Sequence, residues 1–211
     1  MTLGEIKIEA LKIMFVDVET DYESEDIEIL ENDEYCKDYL VNMPGAINRC
    51  FANMEGRGAL PSRSLVLPSD AGDTFGGKTR YDLSALISDC QRIERVVRED
   101  EDGGYDGSVQ YFKEGGTLVL SELSEGERYV VIYKPSIERI RSFTPNDTVI
   151  NIPDTLAALI PYVIKSELLR EDEPDEAQEA RNWYEGAILE MIPESDGVQT
   201  HVKSVYSWED I

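Results

Sequence analysis

Apolar positions at the start of the chain fall at helical spacing. Ile6, Ala10, Ile13 and Met14, with Leu3 and Phe15 alongside, define one face through about residue 16. Thr2 and Glu5 form a capping box ahead of that face, a hydroxyl and a carboxylate each taking up an orphan backbone N–H. A short helix is predicted after Ser24, carrying Ile27, Leu30 and Tyr35. A longer one follows, with Asn42 as cap and Pro44 in the first turn, where a missing N–H costs nothing. Its stripe is Ile47, Cys50, Phe51 and Met54, and Gly56, Gly58 and Pro61 end it.

From Ser62 to about Ile140 the period changes to two. Leu65 with Leu67, Ile93 with Val97, Val109 with Tyr111 and Leu118 with Leu120 mark short strands bounded by Gly, Asp, Ser or Pro. Tyr129, Val131 and Tyr133 alternate with Val130 and Ile132, which predicts a strand apolar on both faces, ended by Pro135. Helical spacing returns after Pro153. Leu156, Leu159, Ile160, Val163, Ile164 and Leu168 predict a helix over 154–170, kinked at Pro161. An acidic turn, Glu171 to Glu176 with Pro174, leads into a last helix bearing Ala177, Ala180, Trp183, Tyr184, Ala187, Ile188 and Met191. The chain after Pro193 is polar, with one amphipathic stretch of Val202, Val205, Tyr206 and Trp208.

This order predicts an α+β fold. N-terminal helices and a C-terminal αα-hairpin form a helical layer, and a central antiparallel β-sandwich or barrel is inserted between them. Residues 1–61 carry the first helices, 62–145 the β-rich insertion, 146–192 the hairpin that completes the helical domain, and 193–211 an arm. No internal repeat is evident.

Charge sharpens the reading. The 211 residues hold 44 acidic and 20 basic side chains, for a net charge of −24. Such a chain is repelled by phosphate backbones and anionic lipids, so neither sequence-specific nucleic-acid binding nor membrane binding is expected. No apolar run approaches the ~20 residues that span a bilayer, and the start lacks the basic-then-apolar order of a signal peptide. A soluble protein made inside the cell is expected. The acidity belongs mainly to the helical parts, because residues 62–145 hold 15 acids against 11 bases.

Few residues offer chemistry. Cys36, Cys50 and Cys90 are odd in number and lack Cys-x-x-Cys spacing, so they are read as small hydrophobes rather than zinc or disulfide partners. His201 is the one histidine and sits in the polar tail, a poor setting for Ser–His or Cys–His catalysis. Gly72 to Thr79 ends in Gly-Gly-Lys-Thr like a phosphate-binding loop. That loop must be followed by a helix, and Arg80-Tyr-Asp-Leu reads as extended chain, so a turn between strands is expected. Gly103-Gly104 and Gly115-Gly116 are read as hairpin turns too. Asp17, Glu19, Asp21, Glu23, Glu25 and Glu28 fit a calcium-loop register, but Tyr22 stands where that loop requires glycine. A solvated loop is the reading, and no metal or cofactor is expected.

Three stretches resemble head–tail adaptor proteins of tailed bacteriophages. They are Leu3-Gly-Glu-Ile-Lys-Ile-Glu-Ala-Leu-Lys-Ile-Met-Phe15, Tyr39-Leu-Val-Asn-Met-Pro-Gly-Ala-Ile-Asn-Arg-Cys-Phe51, and Ile152-Pro-Asp-Thr-Leu-Ala-Ala-Leu-Ile-Pro-Tyr-Val-Ile-Lys-Ser-Glu-Leu-Leu169. Asp172-Glu-Pro-Asp-Glu-Ala177 and Arg181-Asn-Trp-Tyr-Glu185 continue the likeness, and the strand-rich middle is similar to the β-insertion of tail-tubular adaptors. The likeness is diffuse and has no single diagnostic motif. It implies a homo-oligomeric ring, commonly dodecameric, at the neck of the virion, assembled in the bacterial cytoplasm. The ring's partners would be the portal protein on one side and tail or neck proteins on the other. DNA would pass through its channel without sequence-specific binding, and the family brings no catalytic residue.

Val202, Val205, Tyr206 and Trp208 are the candidate docking contacts with the portal or a neighbouring subunit, since aromatics give large contact area at low entropic cost. A second function stands beside this one: a carbohydrate- or host-ligand-binding module. It requires Tyr81, Tyr105, Tyr111 and Tyr129 of the β-insertion to gather on one exposed face. A hydrolase built on two carboxylates is a third, but separation within a cleft is not readable from sequence.

Overall fold

Helix α1 (Leu3–Met14) begins where the capping box puts it. The Glu5 N–H donates to the Thr2 hydroxyl at 3.2 Å, and the Thr2 N–H donates to the Glu5 carboxylate at 2.7 Å. The computed structural model describes residues 1–15, 27–68, 72–99, 104–121 and 127–192. Helix α2 is only Ile27–Leu30, and Tyr35 lies beyond it, exposed rather than on its face.

Helix α3 (Lys37–Arg57) starts well before Asn42, which corrects the sequence-based start. One Asp33 carboxylate oxygen accepts the Tyr35 and Cys36 N–H groups at 2.9 and 3.0 Å and turns the chain into the helix there. Asn42 is therefore interior, its amide donating back to the Asp38 carbonyl at 2.8 Å, and Pro44 is an interior proline. Gly58, at φ 69°, closes α3 in the left-handed conformation that glycine adopts without a Cβ clash.

The strands are β1 (Arg63–Val66), β2 (Asp73–Phe75), β3 (Lys78–Asp82), β4 (Cys90–Glu99), β5 (Tyr105–Ser108), β6 (Tyr111–Glu114), β7 (Thr117–Ser121) and β8 (Arg128–Pro135). A one-turn helix, α4 (Leu83–Leu86), follows β3 with Asp82 as its cap. Among the described residues they form two antiparallel sheets, ordered β1-β8-β4-β5 and β2-β3-β7-β6. The fold is α+β. Ile93, Val96, Val131 and Tyr133 of the first sheet share one apolar cluster with Tyr81, Leu118 and Leu120 of the second. The opposite face of β8 is buried as well, Val130 and Ile132 packing with Val97, as their alternation predicts.

The predicted helix over 154–170 is broken rather than kinked. Pro161 has no N–H to offer the Ala157 carbonyl, so α5 (Asp154–Ala157) ends and Pro161 stands in the first turn of α6 (Ile160–Leu168). Helix α7 (Pro174–Met191) follows. Helix α6 packs against α1, α3 and α7. One apolar cluster joins Leu3 and Ile6 of α1, Ile47 and Phe51 of α3, Ile164 of α6 and Ile188 of α7.

Polar bonds tie the strands to these helices. Buried Lys134 donates to the Gly58 and Leu60 carbonyls at 3.2 and 2.7 Å, and the Glu55 carboxylate accepts the Ile137 N–H at 2.7 Å. Asn48 and the Ile140 backbone exchange two bonds, at 2.7 and 2.8 Å. Farther on, the Gly4 N–H donates to the Asn146 carbonyl at 2.7 Å, and a Cβ on Gly4 would lie 3.2 Å from that oxygen. Among the described residues no helix is long and apolar enough to cross a membrane.

Candidate interaction surfaces

The β2–β3 hairpin turns on Gly76 and Gly77, at φ 60° and 74°, the two positive values that a tight hairpin turn requires. This turn sets Phe75 opposite Lys78, and the register continues from Asp73 to Arg80, from Arg80 to Val119 and from Val119 to Phe112. Directly opposed residues share a face. Phe75, Lys78, Arg80 and Phe112 therefore stand together with the exposed carboxylates Asp73, Asp82 and Glu114 on the side of the sheet turned away from Tyr81, Leu118 and Leu120. Phe75 is 87% exposed and Phe112 42%, and the Lys78 ammonium lies 5.3 Å from the Phe112 ring centre. Val119, flanked by Arg80 and Phe112 in the ladder, is fully buried on that same face. Neither Lys78 nor Arg80 forms an ion pair among the described residues.

A second surface lies on α7. Asp175, Glu179, Trp183, Gly186 and Glu190 recur at helical spacing and form an exposed stripe on α7. Trp183 is 47% exposed and stacks on Tyr162, ring centres 3.7 Å apart and planes 23° from parallel. Trp183 thus leaves the core face on which its spacing placed it. A Cβ on Gly186 would meet nothing within 4 Å, so the stripe is open beside that indole. The turn before α7 is exposed from Glu171 to Glu176. A hydrogen bond from Lys165, at 2.7 Å, holds the Glu176 carboxyl below its ordinary value.

A groove of about 520 Å³ lies along residues 136–151, lined also by Arg63 and Asp89. Its cations are mostly satisfied: Arg63 pairs with Asp89 at 2.5 Å and Arg139 with Glu55. Arg141 lies 5.8 Å from the centre of the exposed Phe143 ring.

Val202, Val205, Tyr206 and Trp208 lie outside the described residues, as do His201 and the carboxylates from Asp17 to Asp26. The four tyrosines of the ligand-binding alternative do not gather on one exposed face. Tyr81 and Tyr129 belong to the core, Tyr111 is half-buried with its hydroxyl 3.3 Å from the Ile93 carbonyl, and Tyr105 is exposed. Burial pushes the Cys50 thiol up to about 12, and burial likewise raises Cys36 and Cys90. Those shifts favour the thiol over the reactive thiolate. Among the described residues no group of three or more His, Cys, Asp or Glu could hold a metal ion.

The stretch from Gly72 to Thr79 has the full G-x-x-x-x-G-K-T spacing of a phosphate loop, yet the structure makes it a β-hairpin. Lys78 belongs to strand β3, beside Phe112, and the chain continues in that strand to Asp82, where a phosphate loop would already have entered its helix. The sequence treated this segment only as a turn and so missed the face it builds. A Phe-Gly-Gly-Lys hairpin does signal that Phe75 opposes Lys78. The neighbours Val119 and Phe112 come from distant pairings. No protein-family model matches the chain, and no curated protein matches it as a relative.

Proposed function

We propose that the chain is a structural protein of a tailed-bacteriophage virion, a head–tail adaptor that forms a dodecameric ring between portal and tail and lines the DNA exit channel. One observation carries this reading. Helices from the two ends of the chain, α1 and α3 with α6 and α7, share a single core, and the strand region lies between them in sequence. This shared core supports the arrangement that the resemblance implies, a helical layer with an inserted two-sheet sandwich.

The charge distribution supports it. With 15 acids and 11 bases in residues 62–145, the remaining positions hold 29 acids against 9 bases. Carboxylates facing a channel repel duplex phosphates within a Debye length of ~8–10 Å, so the genome passes without being held. The portal and a tail or neck protein are the partners, and Val202, Val205, Tyr206 and Trp208 are the proposed docking contacts. Neither an enzymatic step nor a cofactor is assigned.

Size-exclusion chromatography with light scattering, on the chain alone and mixed with the portal of the same virion, tests the reading. The expected result is a ring-sized species, alone or on the portal. A chain that stays monomeric and elutes apart from the portal overturns it.

A further inference from the structure

We infer that the joint between the helical core and the strand core is a hinge held shut by a buried polar latch, in which Lys134 of β8 grips the chain between α3 and β1. This goes beyond the adaptor reading and holds whether or not the chain assembles.

The two cores do not merge. Among the described residues no strand residue joins the apolar cluster of α1, α3, α6 and α7, and no residue of those helices joins the clusters of the two sheets. The chain passes between the cores twice, at residues 58–62 and 136–140. Ala59, Leu60, Ile137 and Ile140 of these crossings pack into the helical cluster. What fastens the strands to the crossings is polar. Lys134, 8% exposed, donates to the Gly58 and Leu60 carbonyls at 3.2 and 2.7 Å. Its ammonium also lies 3.9 Å from the Glu94 carboxylate of β4, which accepts the Ser62 hydroxyl at 2.6 Å. From the helical side, Glu55 accepts the Ile137 N–H at 2.7 Å and pairs with Arg139, while Asn48 exchanges two bonds with the Ile140 backbone. Opening such a joint breaks hydrogen bonds and separates little apolar surface, so it costs far less than pulling apart a shared core. The ammonium makes the closed state definite: its donors have two carbonyls and a carboxylate as partners there, and lose them when the strand core swings away. A few loop residues at two crossings are the ordinary construction of a hinge.

Lys134→Met tests this, because methionine keeps an unbranched side chain and removes the donors. Hydrogen exchange read by mass spectrometry over a urea series follows the two cores separately. In the parent, segments of α3 and α6 and segments of β4 and β8 are expected to lose protection at one urea concentration. In Lys134→Met, residues 58–62 and 136–140 are expected to exchange about tenfold faster, and the two cores to unfold at separate urea concentrations. Small-angle scattering without urea is expected to show a broader spread of intramolecular distances in the variant than in the parent. Asn48→Ala breaks the bonds to Ile140 from the helical side and is expected to separate the cores likewise, so it decides the matter where Lys134→Met does not fold. If the cores of the folded variants still unfold together, at one lower urea concentration, these side chains support the fold as a whole and the latch is overturned. An unchanged spread of distances overturns the swing. A parent whose cores already unfold separately overturns the latch too, since nothing would then be held shut.

Discussion

Cys50 and Tyr184 show what burial does to a titrating pair. The Cys50 sulfur lies 3.9 Å from the Tyr184 hydroxyl, which donates to the Asn53 side-chain oxygen at 2.9 Å. Desolvation disfavours both anions, pushing the thiol up to about 12 and raising the phenol. The consequence for stability follows from where the proton is kept. In the unfolded chain the thiol loses its proton near pH 9, whereas the folded protein holds it to about 12. Between those values the unfolded state binds fewer protons, so stability falls as pH rises. Urea titrations are expected to show a flat region from pH 7 to 9, then a loss of about 1 kcal/mol per pH unit from this thiol. Cys50→Ala is expected to flatten that decline while weakening the fold slightly at pH 7. A variant with an unchanged alkaline slope would show that the thiol is not the group responsible. Lys7 acts with the opposite sign: burial lowers its ammonium, so its contribution grows as pH rises toward 10.5.

Helix ends show which signals are legible in a sequence. The Thr2–Glu5 box was readable because both halves of the bond lie within four residues, and it forms as read. Thr2→Ala is expected to cost about 1 kcal/mol, measured as a lower urea midpoint at unchanged slope. An unchanged midpoint would mean that backbone bonds from residues 146–150 anchor α1 on their own. The start of α3 was misread because Pro44 and Asn42 are good start signals anywhere, while the true signal, Asp33, lies outside the apolar stripe. At Pro161 the missing N–H was legible, but not that the chain would break and restart rather than bend. Strand β8 was readable because a strand buried on both faces is apolar at every position. The order of strands in the two sheets was not, since β1 meets β8 and β3 meets β7 across long stretches of sequence that periodicity does not connect. The face carrying Phe75 and Phe112 exists only through that pairing, so the site stayed hidden although each of its residues was in plain view.

Across the full subunit, two electrostatic effects respond to salt in opposite directions. Ion pairs such as Arg57–Glu185 and Arg49–Glu167 lie at the surface, where each contributes roughly 0–1 kcal/mol and weakens as salt rises. Against them stands the mutual repulsion of a chain with a net charge of −24, which folding concentrates and salt relieves. With so large an excess of one sign, repulsion outweighs the pairs and the fold should gain from screening. From about 10 mM to about 1 M salt the Debye length shrinks from ~30 Å to ~3 Å. Over that range the melting temperature is expected to rise by about 2–4 °C. A melting temperature that falls with salt would show that the ion pairs govern the fold.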